Sequence, residues 1–248
     1  MKKILSRILS LSLPLTLLGI TSLTTYKYHK NYDIYESKNS FSYKENFKKE
    51  MELFNDKVQG KILARTPTDN IVTLEVLVDD EVKSFYDDFY NPLDGEEWQD
   101  KLLKNLTQAS ERFNKEFGIT FKIGKVDYWD STEDLYISQL MEVLEKKTFR
   151  GLNSKEDIVL AFTGQRDRTP YGGITNYLGK LSLLRTYEET IFNEFDHLIQ
   201  HELSHLFGAM DTSNGRDSVM DYRSNSTKWD RYDKMLMLPN KDRFKNKP

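Results

Sequence analysis

The chain has 248 residues, enough for one well-filled domain with appendages. Its 36 Lys and Arg against 39 Asp and Glu leave a net charge of −3, so bulk electrostatics gives no case for a nucleic-acid partner. With no cysteine, the sequence excludes disulfides, thiolate metal sites, cysteine nucleophiles and a lipid on an N-terminal cysteine.

Lys2, Lys3 and Arg7 precede an apolar run from Ile8 to about Leu23. That arrangement makes residues 1–25 a secretory signal or a short membrane anchor. Pro14 and the scattered Ser and Thr weigh against an anchor, and the missing A-x-A site weighs against a cleaved signal, so both stay open. Either way the protein is expected outside the cytoplasm, secreted or held to a membrane through residues 4–25. Residues 26–67 are polar and mixed in charge, expected as a linker or short pro-segment. Within them a helix over Ser42–Val58 brings Phe47, Met51 and Phe54 to one face.

Residues 68–248 read as a single α/β domain. Ile71–Val78 is a β-branched run, expected as a buried strand. Asn91-Pro92-Leu93-Asp94-Gly95 is a turn. It leads into a helix from about Glu96 to Phe117 whose apolar stripe is Leu102, Leu103, Leu106, Ala109, Phe113 and Phe117, with Gly118 as its stop. Ile119–Trp129 alternates as a second strand. Ser131 and its acidic followers are expected to open a helix through Lys147, and Ile158–Phe162 is an interior strand. After a loop over Gly164–Tyr171, the stretch Gly172–Leu184 is expected as one strand, at the sheet edge or inside it. A helix starting between Thr186 and Asn193, with Thr186 and Glu189 as its capping box, buries Phe192, Phe195, Ile199, Leu203 and Leu206.

The opposite face of that helix carries the chemistry. His201 and His205 are four residues apart, so their imidazoles project one turn apart, within reach of one zinc ion at about 2.0–2.1 Å. Glu202 lies about 100° round the helix, beside the two histidines, where a carboxylate can deprotonate a metal-held water as general base. Gly208 can end the helix in the left-handed conformation and let Asp211 return as a third ligand; Asp217 and Asp221 are alternatives for that place. His197 is about 12 Å along the helix from His205, too far to join them on one ion. Ser226-Thr227 are expected to cap a closing helix, Lys228–Leu238.

His201, Glu202, His205, Gly208 and Asp211, with Met220 in Ser218-Val219-Met220-Asp221-Tyr222, resemble the metzincin metalloproteases. Their pattern is H-E-x-x-H-x-x-G-x-x-H or D followed by a methionine-containing turn, here of reprolysin, matrixin or snapalysin type. The commonest third ligand in that family is histidine; this chain has Asp211. The resemblance implies an α/β (α+β) catalytic domain with a twisted, mostly parallel sheet, an antiparallel edge strand, packed helices and a small C-terminal subdomain. It further implies a monomeric zinc endopeptidase with one catalytic Zn2+. A protein or peptide substrate would lie extended along the edge strand, Met220 would pack beneath the metal, and Tyr222 could approach the transition state. The competing reading is a catalytically idle, membrane-tethered binding module that keeps its zinc.

Overall fold

The computed structural model describes residues 41–89, 96–131, 135–150, 155–165, 172–186, 195–224 and 226–245. The chain divides into two units, Met1–Phe47 and Lys48–Pro248. Helix α1, Phe41–Val58, begins in the first and ends in the second. Residues 1–25, expected as signal or anchor, and the Asn91–Gly95 turn lie outside the described residues. Among the described residues no helix is long and apolar enough to cross a membrane.

Among the described residues, five strands form one sheet in the order β2-β1-β3-β5-β4. They are β1 (Asn70–Val78), β2 (Ile119–Tyr128), β3 (Ile158–Thr163), β4 (Gly173–Thr175) and β5 (Leu181–Arg185). All pairings are parallel except β4 with β5, which is antiparallel and leaves β4 on the edge. The expected α/β fold with a mostly parallel sheet is therefore the fold observed. The strands β3 and β5 are buried on both faces because helices cover both sides. On one side, Leu77, Val159, Ala161, Leu181 and Leu183 pack with Leu140 and Leu144 of helix α4 (Ile137–Arg150). On the other lie helix α3 (Trp98–Phe117) and helix α5 (Phe195–Leu206). Phe113 of α3 sits at the centre of that side, within 4.9–6.0 Å of the rings of Phe117, Phe121, Phe207 and Trp229. The whole apolar stripe expected for α3 is buried, and Gly118 ends it at φ 67°.

The second half of α1 and the residues after it, part of the stretch read as linker or pro-segment, lie against this body. Met51, Phe54 and Val58 are buried, Phe54 meets the Trp98 ring edge-on at 5.8 Å, and Glu50 accepts from Trp98 Nε1 at 2.8 Å. Gly60 and Leu63 then donate to the carbonyls of Ile123 and Phe121, so this segment covers the β2 edge of the sheet.

Several elements differ from the sequence expectation, each for a local reason. Gly172–Leu184 is not one strand but a hairpin, β4 and β5, turned at residues 176–180 with Leu178 at φ 52°. Helix α2, Asp80–Phe89, was not anticipated; Asp79 caps it by accepting from Val82 N–H at 3.0 Å. Ser131 opens no helix, because its hydroxyl is taken by Asp79 Oδ2 at 2.7 Å; α4 starts at Ile137. Thr186 N–H donates to Thr163 O at 2.8 Å and extends the β5 ladder, while residues 187–194, which include Glu189, Phe192 and most of the expected start of the active helix, lie outside the described residues. The closing helix α6, Arg231–Met237, is capped by Asp230 in a reciprocal box with Asp233 rather than by Ser226-Thr227.

The Asp79 cap has an electrostatic consequence. Burial outweighs its hydrogen bonds from Thr163, Ser131 and Gly164 and raises Asp79 to about 6. Burial, together with the charges of Asp79 and Asp80, raises the neighbouring Glu81 to about 9. Both carboxyls hold protons more tightly folded than unfolded, where they titrate near 4. The folded state thus binds the extra protons, and stability falls as pH rises from about 4 to about 9. Glu81→Gln is expected to flatten this loss. Thermal melts at pH 6, 7.5 and 9 under equal zinc loading should show the native chain falling behind the variant as pH rises; parallel curves would refute the assignment.

Candidate metal centre

Helix α5 presents four faces, and the sequence assigns each a partner. Phe195, Ile199, Leu203 and Leu206 are buried in the core. Asp196, Gln200 and Ser204, at successive i, i+4 positions, are also buried, but every one is bonded. Arg112 of α3 clamps the first two, with Nη2 2.5 Å from Asp196 Oδ2 and Nη1 donating to Gln200 Oε1 at 3.0 Å. Gln200 Nε2 reaches Thr227 O at 2.8 Å, and Trp229 Nε1 donates to Ser204 Oγ at 2.8 Å. The third face carries the histidines and the fourth carries Glu202.

Gly208, at φ 96°, ends the helix in a Schellman motif: its N–H donates to His205 O, and the N–H of Ala209 to Ser204 O. The chain then doubles back. Thr212 N–H donates to Met220 O at 2.8 Å, which ties the segment after Asp211 to the one holding Met220. Met220 is fully buried, as expected for a methionine turn.

This reversal brings His201, His205 and Asp211 together, one donor atom from each lying within 4.8 Å of the others. The Nε2 atoms of the two histidines are 3.2 Å apart, and Asp211 Oδ1 is 3.0 Å from that of His201 and 3.4 Å from that of His205. Three vertices of a tetrahedron with bonds of about 2.0–2.1 Å lie about 3.3–3.4 Å apart, so the triangle has the dimensions zinc requires. The remaining ring nitrogens are committed elsewhere. His201 Nδ1 donates to Val219 O at 2.8 Å and His205 Nδ1 to Ala209 O at 2.9 Å, leaving both Nε2 lone pairs for a metal. The trio also attracts positive charge. Burial lowers the proton affinity of His201, yet the Asp211 hydrogen bond, the Glu202 charge and the Val219 carbonyl together raise it to about 9. Hydrogen bonds from His201 and His205 hold the Asp211 carboxyl well below the usual carboxylate range.

The other candidates stand apart from the trio. Asp221 is buried, its carboxylate accepting from the N–H groups of Arg223 at 3.0 Å and Arg216 at 2.8 Å, and Asp217 is exposed. His197 shares the Val219 carbonyl at 3.4 Å, and burial lowers its pKa. Tyr222 is 65% exposed, with the Arg223 guanidinium 5.3 Å from its ring centroid. Glu202 is buried against β4, where Thr175 Oγ1 donates to its Oε2 at 2.5 Å. Thr175 and the Val219 and Ala209 carbonyls escaped the sequence reading; only the Gly172-Gly173 pair before an apolar strand hinted at a close approach there.

The model of Metallo-peptidase family M12, reprolysin type, matches residues 68–240. No curated protein matches the chain. Among solved structures, archaemetzincin from Methanopyrus kandleri is 17% identical with a TM-score of 0.48, over 71% of this chain and 98% of that one. A chain of a chaperone–substrate complex is 9% identical at TM-score 0.51, over 71% of this chain and 35% of that one. Metalloproteinase-II from Bacteroides fragilis is 13% identical at TM-score 0.47, over 72% and 56%.

Proposed function

Because the chain belongs to metallopeptidase family M12 and is a zinc metalloprotease, we propose that it is an endopeptidase with His201, His205 and Asp211 as zinc ligands and Glu202 as general base. The observation that carries this reading is the triangle of two Nε2 atoms and one carboxylate oxygen, with both Nδ1 atoms bonded to backbone carbonyls. Zinc held there supplies a Lewis acid that lowers a water's pKa to about 7 and polarises the scissile carbonyl. Glu202 accepts the proton of the attacking water and returns it to the leaving amine. Strand β4 is the edge strand among the described residues, and an extended peptide can pair along its outer side. Tyr222, two residues beyond Met220, enters as the candidate donor to the developing oxyanion. The basic and apolar N-terminal segment supports a place outside the cytoplasm, with residues 1–25 as signal or anchor, and the catalytic domain spans 68–248.

The test is digestion of an unstructured protein by the full chain. Internal cleavage is expected, lost after a chelator and restored by zinc, with one zinc bound per chain. Cleavage indifferent to the chelator, or a chain that binds no zinc, would overturn the reading.

A further inference from the structure

The surroundings of Glu202 are supplied by the β4–β5 hairpin. Thr175 Oγ1 is 2.5 Å from Glu202 Oε2 and 3.2 Å from the Glu202 carbonyl oxygen, so the carboxylate is its principal acceptor. A threonine hydroxyl carries a single hydrogen. With that hydrogen on the carboxylate, the 2.8 Å contact between Thr175 Oγ1 and Ser182 Oγ must be donated by Ser182. Ser182 is fully buried and sits opposite Thr175 in the antiparallel register. A chain of hydroxyls, Ser182 to Thr175 to Glu202, therefore crosses the hairpin and ends on the carboxylate.

Gly173 completes this seat. Its backbone is in no left-handed region, so its glycine answers to space and not to conformation. A Cβ there would run into the Glu202 carboxyl, the movable end of a flexible side chain.

The geometry points to Thr175 as a positioning residue that fixes the orientation of the Glu202 carboxyl, with Ser182 behind it and Gly173 leaving the room. This inference rests on the reading of Glu202 as general base. A threonine merely filling a strand would leave its hydroxyl on the nearest backbone carbonyl; here the carboxylate is the closer acceptor. The arrangement also places the aim of the base and the open edge for substrate on one short strand. Substrate pairing on β4 and alignment of Glu202 are thereby set by the same three residues, Gly173–Thr175.

Thr175→Val keeps the β-branched shape and removes the hydroxyl, whereas Thr175→Ser keeps the hydroxyl. With zinc content and melting temperature measured on each, Val is expected to lower kcat about 10- to 100-fold at little change in KM, the loss misplacement by a fraction of an ångström produces. Ser should recover most of that loss, and Val added to Glu202→Ala should cost nothing more. Equal kcat for native and Val, a Ser variant no better than Val, or a fall in KM terms alone would overturn the inference. Crystal structures of the zinc-free Val and Ser variants decide it without turnover. The Glu202 carboxyl should leave its place beside β4 in Val and keep it in Ser; an unmoved carboxyl in Val refutes the role even if the native chain cleaves nothing, an outcome that would refute the endopeptidase reading separately.

Discussion

Glu202→Ala is expected to bind zinc as the native chain does while cleaving peptide about 10²–10⁴-fold more slowly, the range that a positioned general acid–base group contributes. The separation of the two properties follows from the helix. His201 and His205 aim their Nε2 atoms at Asp211, while Glu202, one residue on from His201, aims at Thr175. Truncating it removes no member of the trio. The charge of Glu202 does help hold a positive centre at His201, so a modest weakening of zinc affinity is expected, far smaller than the loss of rate. Alanine would also leave a gap beside Gly173 and take away the main acceptor of Thr175, at a cost of about 1–3 kcal/mol in stability. Glu202→Gln avoids both, since its amide oxygen still accepts from Thr175 and its volume is unchanged. Metal content, melting temperature and kcat measured together on the two variants separate the roles. A Gln variant that turns over at the native rate would remove Glu202 from the chemistry, and one that has lost its zinc would make it a ligand.

What was legible in the sequence is what depends on period, spacing and the composition of short runs. The stripe of α3 and the strand β2 follow from repeats of 3.6 and about two residues, β1 and β3 from short β-branched or apolar runs, and the 201/205/211 constellation from helical spacing with a glycine at a fixed offset; each stands where it was expected. The elements misjudged were those decided by a single hydrogen bond to a distant partner. Ser131 has the chemistry of a helix cap, but Asp79, 52 positions earlier, captures its hydroxyl. Asp79 itself reads as a residue past the end of a strand, yet it starts α2 and ties down Gly164 at 3.0 Å. The hairpin at residues 176–180 was hidden because an apolar run on both sides of Tyr177-Leu178-Gly179 looks continuous. Its turn is stabilised from outside, by Leu178 N–H on His205 O and Tyr177 OH on Gly208 O. Those bonds fasten the hairpin to the end of the active helix. For the same reason the role of Thr175 could not be read from its neighbours in sequence: its acceptor is 27 positions away.

Asp211→Ala should lose zinc and activity together, with the fold retained. The Asp211 side chain is 65% exposed, and the backbone around it is held by the Schellman turn at Gly208 and by Thr212 N–H on Met220 O, so its truncation removes little packing. What it removes is one of three donors and the only negative charge in the trio. Removing a group that only hydrogen-bonds to a metal ligand costs about 10–100-fold in affinity, and loss of a direct ligand is expected to exceed that. Because a metal that binds only the folded chain stabilises it by mass action, added zinc should raise the melting temperature of the native protein and leave that of the Ala variant nearly still. Asp211→Asn keeps the oxygen but not the charge and should fall between them. Asp211→His supplies a neutral nitrogen ligand and should hold zinc more tightly than Ala if the turn delivers the ring to the same vertex. Zinc occupancy in the Ala variant equal to the native value would move the third donor elsewhere, and Asp217, exposed in the same segment, would be the next residue to replace.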